Sequence, residues 1–169
     1  MRALLAVSVL MTLAAPALAE EAHDATGGDK AEEAEPHHSN DVGVFVGGTM
    51  SFGDDAQTRF TIGADYERRI DAVSHRLGLG VLVDAAITSD DTETLVAGYV
   101  SYHPIAGLML LAGAGTVFSG FGDNATFGVR GAAAYFVELS GFGVGPEVSV
   151  DRANGETAVV YGVTVGHGF

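Results

Sequence analysis

The sequence predicts an all-β fold: an eight-stranded antiparallel up-and-down transmembrane β-barrel. Three observations carry that prediction. Over residues 41–169 the apolar residues recur with a period of two, not 3.6. Clusters of Gly, Asp, Asn or Pro interrupt the alternation about every dozen residues, as turns do in a meander. Finally, one face of each alternating segment is bulky and apolar while the other is small with a few charges, the reverse of a barrel that meets water outside.

In chain order, residues 1–19, MRALLAVSVLMTLAAPALA, have a basic Arg2, an apolar run and a small-x-small end at Ala17 and Ala19. That is the pattern of a secretory signal peptide cut before Glu20; the run is short for a membrane-spanning helix. Residues 20–40, EEAHDATGGDKAEEAEPHHSN, carry no aliphatic side chain larger than alanine apart from one proline, so they predict a disordered acidic arm. The barrel is expected over residues 41–169, in strands 42–52, 58–68, 76–88, 94–103, 107–118, 125–138, 142–151 and 157–169. Their separators are FGDDAQ, RRIDAVSH, TSDDTE, HPIAG, SGFGDNA, LSG and RANGE, most of which carry turn chemistry.

Composition excludes several functions. The chain has no cysteine, so it has no disulfide framework and no thiolate nucleophile or metal site. Acidic residues outnumber basic ones 22 to 8, which argues against nucleic acid as a partner. No later stretch is long and apolar enough for a transmembrane helix.

The alternation assigns each face. Val42, Val44, Val46, Met50 and Phe52 share one side of the first strand, and Phe60, Ile62, Ala64 and Tyr66 one side of the second. The third presents Leu79, Val81 and Val83 opposite Gly78, Gly80, Leu82 and Asp84; the sixth presents Phe127, Val129 and Tyr135 opposite Arg130. In the seventh, Phe142, Val144, Pro146, Val148 and Val150 oppose Gly143, Gly145, Glu147 and Asp151. The eighth sets Val159, Tyr161, Val163, Val165 and Phe169 against Gly162, Thr164 and Gly166, with His167 the polar exception on the apolar side. For strand four, TLVAGYVSYH, either Leu95, Ala97 and Tyr99 or Val96, Val100 and Tyr102 face outward. Pro146 withholds a ladder donor in mid-strand and predicts a local bulge.

With both termini at one end, Phe52, Phe60, Phe118 and Phe127 are expected at one rim and Tyr66, Tyr135, Phe142 and Phe169 at the other, as two aromatic girdles. Arg59, Asp65, Glu67, Asp84, Arg130, Glu147 and Asp151 are expected to meet across the lumen, with Arg130 and Glu147 as a pair, because a buried charge must find a partner. Eight strands leave an interior filled by side chains, so a plug is expected rather than a pore. Asp54, Asp55, Asp90, Asp91, Glu93 and Asp123 predict an acidic outer rim.

The closing alternation Tyr161, Val163, Val165 with terminal Phe169 resembles the C-terminal signature of bacterial outer-membrane barrels, with His167 a departure from it. Residues 41–169 as a whole resemble small OmpA/OmpX-type barrels, a porin-like superfamily. That resemblance implies a Gram-negative outer membrane with arm and C-terminus periplasmic, outer-membrane lipid, lipopolysaccharide and the barrel assembly machinery as partners, and a monomer with a structural or interaction role. A histidine-bearing acidic arm before a small barrel also resembles uncharacterised envelope proteins, which imply no activity.

No enzyme is expected, and no cofactor. Ser101 and His103 share a face of strand four, but nothing in the spacing orients the histidine, and neither G-x-S-x-G nor H-E-x-x-H is present. Two alternatives stand beside the structural role. His23, His37 and His38 lie among arm carboxylates suited to divalent metal, and the lumen is a candidate narrow ion channel.

Overall fold

The computed structural model describes residues 38–169 except 53–55, 90 and 121–123; the expected signal peptide and nearly all of the arm lie outside the described residues. The strands are β1 (Asn40–Phe52), β2 (Thr58–Ile70), β3 (Ser74–Ile87), β4 (Thr92–Tyr102), β5 (Leu108–Ser119), β6 (Asn124–Tyr135), β7 (Val137–Leu139), β8 (Phe142–Ala153) and β9 (Glu156–Gly168). Each is antiparallel to its neighbours in the order β6-β5-β4-β3-β2-β1-β9-β8-β7, and β6 also pairs with β8. The sheet therefore closes on itself. Since β6 and β7 are two pieces of one stave, the result is an eight-stranded up-and-down barrel with no free edge.

Turn chemistry fixes the register of the last staves. Ser140 and Gly141 both take positive φ (54° and 85°), as do Asn154 and Gly155 (50° and 82°). These are two-residue hairpin turns whose twist matches that of the flanking strands.

Pro146 acts differently from the expected bulge. Ala134 pairs with Glu147 and Val137 with Val144, so the register is unchanged across the gap and no residue is inserted. Phe136 donates its N–H to the Gly107 carbonyl on the β5 side (2.7 Å), which turns the polar groups of Tyr135 towards β8. There Pro146 has no N–H to return, so a single ladder pair is lost and the stave divides into β6 and β7.

Every stave contributes large apolar residues to the outer wall, among them Val46, Ile62, Val81, Val100, Leu110, Val129, Val150 and Val163. Strand four resolves with Val96, Val100 and Tyr102 outward and Leu95, Ala97, Tyr99 and Ser101 buried inside. The interior is not uniformly small or polar. Leu82, Leu95, Ala97, Tyr99, Leu111 and Val117 pack as an apolar cluster along the β3–β5 wall. Phe45 also points inward, and its ring lies over Gly47 and Gly162, where a Cβ would collide with it.

Glycines thus set how closely staves and lumen side chains approach. A Cβ on Gly115 would overlap the Val96 carbonyl oxygen and the Ala97 backbone, whereas one on outward Gly131 meets nothing within 4 Å. Gly115→Val is expected to cost roughly 1–3 kcal/mol by overpacking, while Gly131→Val is expected to be neutral. Urea midpoints of the refolded variants check this, and equal midpoints would refute it.

Candidate functional site

The pleat sends every second side chain inward, so the barrel's chemistry collects in the lumen. Its carboxylates rest on glycines. A Cβ at Gly43 would strike Asp65, one at Gly63 would strike Asp84, and one at Gly78 would strike Glu67 and Ser101. The register explains the first two, because Gly43 pairs with Asp65 and Gly63 with Asp84 on adjacent strands.

The seven charges expected to meet do not form one network; they separate along the barrel axis. Nearest the end away from the termini, Arg59 is ion-paired with Glu93, and the Thr49 and Thr61 hydroxyls share a hydrogen bond of 2.6 Å. Glu93 is therefore a lumen residue and not part of the acidic rim. Among the other rim acids Asp91 is exposed, while Asp54, Asp55, Asp90 and Asp123 lie outside the described residues. A cavity of about 160 Å³ opens at this end and reaches down to Asp84, Arg130 and Asp151.

Arg130 is the centre of the interior. It is 6% exposed, clasps Asp151 through Nε and Nη2 (2.6 and 2.7 Å), and is ion-paired with Asp84 through Nη1. The expected pairing with Glu147 does not form. Register decides the matter: Arg130 stands opposite Asp151 across β6 and β8, and Glu147 stands opposite Ala134, four residues along. Glu147 instead accepts from the Thr164 hydroxyl (2.6 Å), and Asp65 accepts from the Tyr99 hydroxyl (3.3 Å).

Towards the termini, Glu67 is 2% exposed and accepts from Arg69 (3.0 Å) and from His103 Nε2 (2.9 Å), and Arg69 also reaches Asp41 (3.3 Å). The histidine that shares a strand with Ser101 is thus held by a carboxylate of β2. Ser101 is 1% exposed, so a lipid-sized substrate has no access to its hydroxyl. Arg69 and Asp41 escape a reading by strand alternation alone, since they lie at strand ends where turn and strand residues look alike, and alternation within strand four gives no sign that His103 meets Glu67 of β2.

On the outer wall, Phe52, Phe60, Phe118 and Phe127 lie towards one end and Tyr66, Tyr135, Phe142 and Phe169 towards the other, all exposed, with Tyr102 joining the second group. The Tyr66 hydroxyl donates to Asn40 (2.8 Å), and the Asn40 and Phe169 backbones exchange hydrogen bonds of 3.1 and 2.8 Å. His167, the polar exception, donates from Nδ1 to the Gly141 carbonyl (2.8 Å) and packs beside Phe142 with ring centroids 5.1 Å apart. Of the arm histidines, His38 lies against Gly168; His23 and His37 are outside the described residues. Among the described residues no group of three or more His, Asp or Glu is placed to hold a metal ion.

A closed eight-stranded wall, apolar outside and ion-paired inside, is the architecture of a small transmembrane β-barrel. Solved structures of that architecture are similar to this chain. A de novo designed transmembrane β-barrel matches with a TM-score of 0.55 at 17% identity, over 75% of this chain and 94% of its own. Ail, the attachment invasion locus protein of Yersinia pestis, matches with a TM-score of 0.57 at 8% identity, over 78% of this chain and 99% of its own. Neisserial surface protein A matches with a TM-score of 0.56 at 11% identity, over 78% and 97%. At these identities the likeness is one of fold. No family model and no curated protein matches the sequence.

Proposed function

We propose that this chain is a small outer-membrane protein of a Gram-negative envelope with a structural or interaction role. The observation that carries the reading is the outer wall: large apolar side chains from every stave face outward, while the ion pairs of Arg59, Arg69 and Arg130 face the lumen. An exposed apolar surface that encircles the molecule far exceeds what water-soluble monomers tolerate. The names of its structural neighbours, a surface protein and an attachment invasion protein, agree with a place in the envelope.

In this reading the termini lie in the periplasm, and the β1–β2, β3–β4, β5–β6 and β8–β9 turns face outward towards lipopolysaccharide. Those turns are short, which leaves little room for a recognition lid. Membrane lipid surrounds the wall, and the barrel assembly machinery receives the strand ending at Phe169. In this reading the Arg130 cluster plugs the lumen and the barrel is not a channel.

The refolded protein in lipid is expected to migrate differently on a gel before and after boiling, and the cellular protein to fractionate with outer membrane. Identical migration, or recovery in the soluble periplasm, would sink the membrane reading. Planar-bilayer recordings are expected to show no steady conductance steps; discrete steps in the wild type would replace the plug with a channel.

A further inference from the structure

The Arg130 cluster forms the floor of the cavity of about 160 Å³ that opens at the end away from the termini, and all eight staves contribute to the wall above it. Four carboxylates line this vestibule, Asp84, Glu93, Asp151 and Glu156, against two guanidinium groups, Arg59 and Arg130. Both guanidiniums are already engaged. Arg59 is matched one to one with Glu93, whereas Arg130 alone serves Asp84 and Asp151, so the floor holds one carboxylate more than its cation balances. Glu156 stands at the mouth, beside the β8–β9 turn, and makes no ion pair among the described residues.

The vestibule thus carries two uncompensated negative centres, one at its floor and one at its mouth. Register sets their spacing. Asp151 pairs with Ala158, and Glu156 lies two residues from Ala158 on the same face of β9, about 7 Å along the strand. The same wall presents the hydroxyls of Ser51, Ser119 and Thr126, which accept from an N–H donor.

We propose that the vestibule is a binding site for a small primary diamine, with one ammonium at the Asp84–Arg130–Asp151 floor and the other at Glu156. The lining selects that occupant. An anionic ligand would meet a surplus of carboxylate and no free cation, and a neutral polyol would draw nothing from the surplus charge. A primary ammonium has three N–H donors and no acceptor, so a wall of carboxylates and hydroxyls satisfies it. No aromatic side chain lines the cavity, whereas a quaternary ammonium is held by aromatic faces. A single ammonium balances only one of the two centres. Within a narrow cleft lined by a surplus of one sign the field is focused, which strengthens the attraction. The inference goes beyond the envelope role proposed above and needs only the closed barrel, so its failure leaves the membrane reading intact.

The test titrates putrescine into the refolded full chain in nonionic detergent at low salt, read by isothermal titration calorimetry. One site per barrel is expected. Glu156→Gln removes the mouth charge without touching an ion pair and is expected to weaken binding on the order of tenfold, the worth of one hydrogen bond to a charged group. Butylamine, with a single ammonium, is expected to bind the wild type weaker than putrescine by a similar factor. Ala158→Phe narrows the vestibule and is expected to abolish binding while its gel shift on boiling is unchanged. Asp71→Asn removes an exposed acid at the opposite end of the barrel and is expected to match wild type; weakening equal to that of Glu156→Gln would mark diffuse attraction to an acidic protein and overturn the site. No binding by the wild type, undiminished affinity in Glu156→Gln or Ala158→Phe, or equal affinity for butylamine overturns the proposal. Displacement of putrescine by glutarate would mark a site for anions and overturn it as well.

Discussion

Replacing Arg130 with methionine is expected to destabilise the barrel by roughly 3–5 kcal/mol, the penalty for leaving a buried charge without its partner. Asp84 and Asp151 both depend on this one guanidinium, which clasps the second through two hydrogen bonds of 2.6 and 2.7 Å. Removing the cation leaves two carboxylates facing each other, with no other basic group paired to either among the described residues. The triple variant Arg130→Met, Asp84→Asn, Asp151→Asn removes all three charges together and is expected to recover at least half of the loss, because the desolvation cost goes with the charges. Glu147→Gln is the control. Its partner is the Thr164 hydroxyl and not Arg130, so it is expected to stay close to wild type. Urea unfolding of vesicle-inserted protein, followed by circular dichroism, measures all three. A loss of less than about 1 kcal/mol in Arg130→Met would mean that the interior solvates the aspartates and is wet rather than plugged.

Val46→Arg is expected to cost about 2–4 kcal/mol, the range for a basic residue on the lipid-facing side at the middle of the bilayer. Val46 lies near the centre of β1, faces outward, and is flanked by Ile62 on β2 and Val163 on β9. The matching control, Gln57→Arg, adds the same charge to an exposed position beside the β1–β2 turn. It is expected to fall within about 0.5 kcal/mol of wild type. Equal tolerance of the two substitutions would show that the apolar wall meets water or a protein partner, and the outer-membrane assignment would fail with it.

Some of the interior was within reach of the sequence once the turns are understood. If the Ser140-Gly141 pair in LSG is taken as a two-residue hairpin turn, Leu139 falls opposite Phe142, and the same register carried down the strands places Arg130 opposite Asp151. The signal lay in the turn, whereas an arginine and a glutamate on facing strands had suggested the wrong partner. Strand four was a different matter. Leu95, Ala97 and Tyr99 are as apolar as Val96, Val100 and Tyr102, so alternation carried no information about which set faces lipid. Its orientation follows from its neighbours: Ala97 pairs with inward Leu82, and Tyr99 covers Gly80 of β3 and reaches Asp65 on the next stave, β2.

By itself, then, the sequence determined the strands, their turns, the outward face of six staves and the presence of charge inside. Each of these is set locally, by the pleat that alternates successive side chains and by the residues that permit a tight turn. Only the closed tertiary structure decided that Asp84 of β3 reaches Arg130 of β6, that Arg59 takes Glu93 from the rim and that His103 belongs to Glu67. Contacts across a lumen depend on the tilt and stagger of the sheet accumulated over all eight staves. A small change in any one register would move every cross-lumen partner, which is why no single segment of sequence contains them.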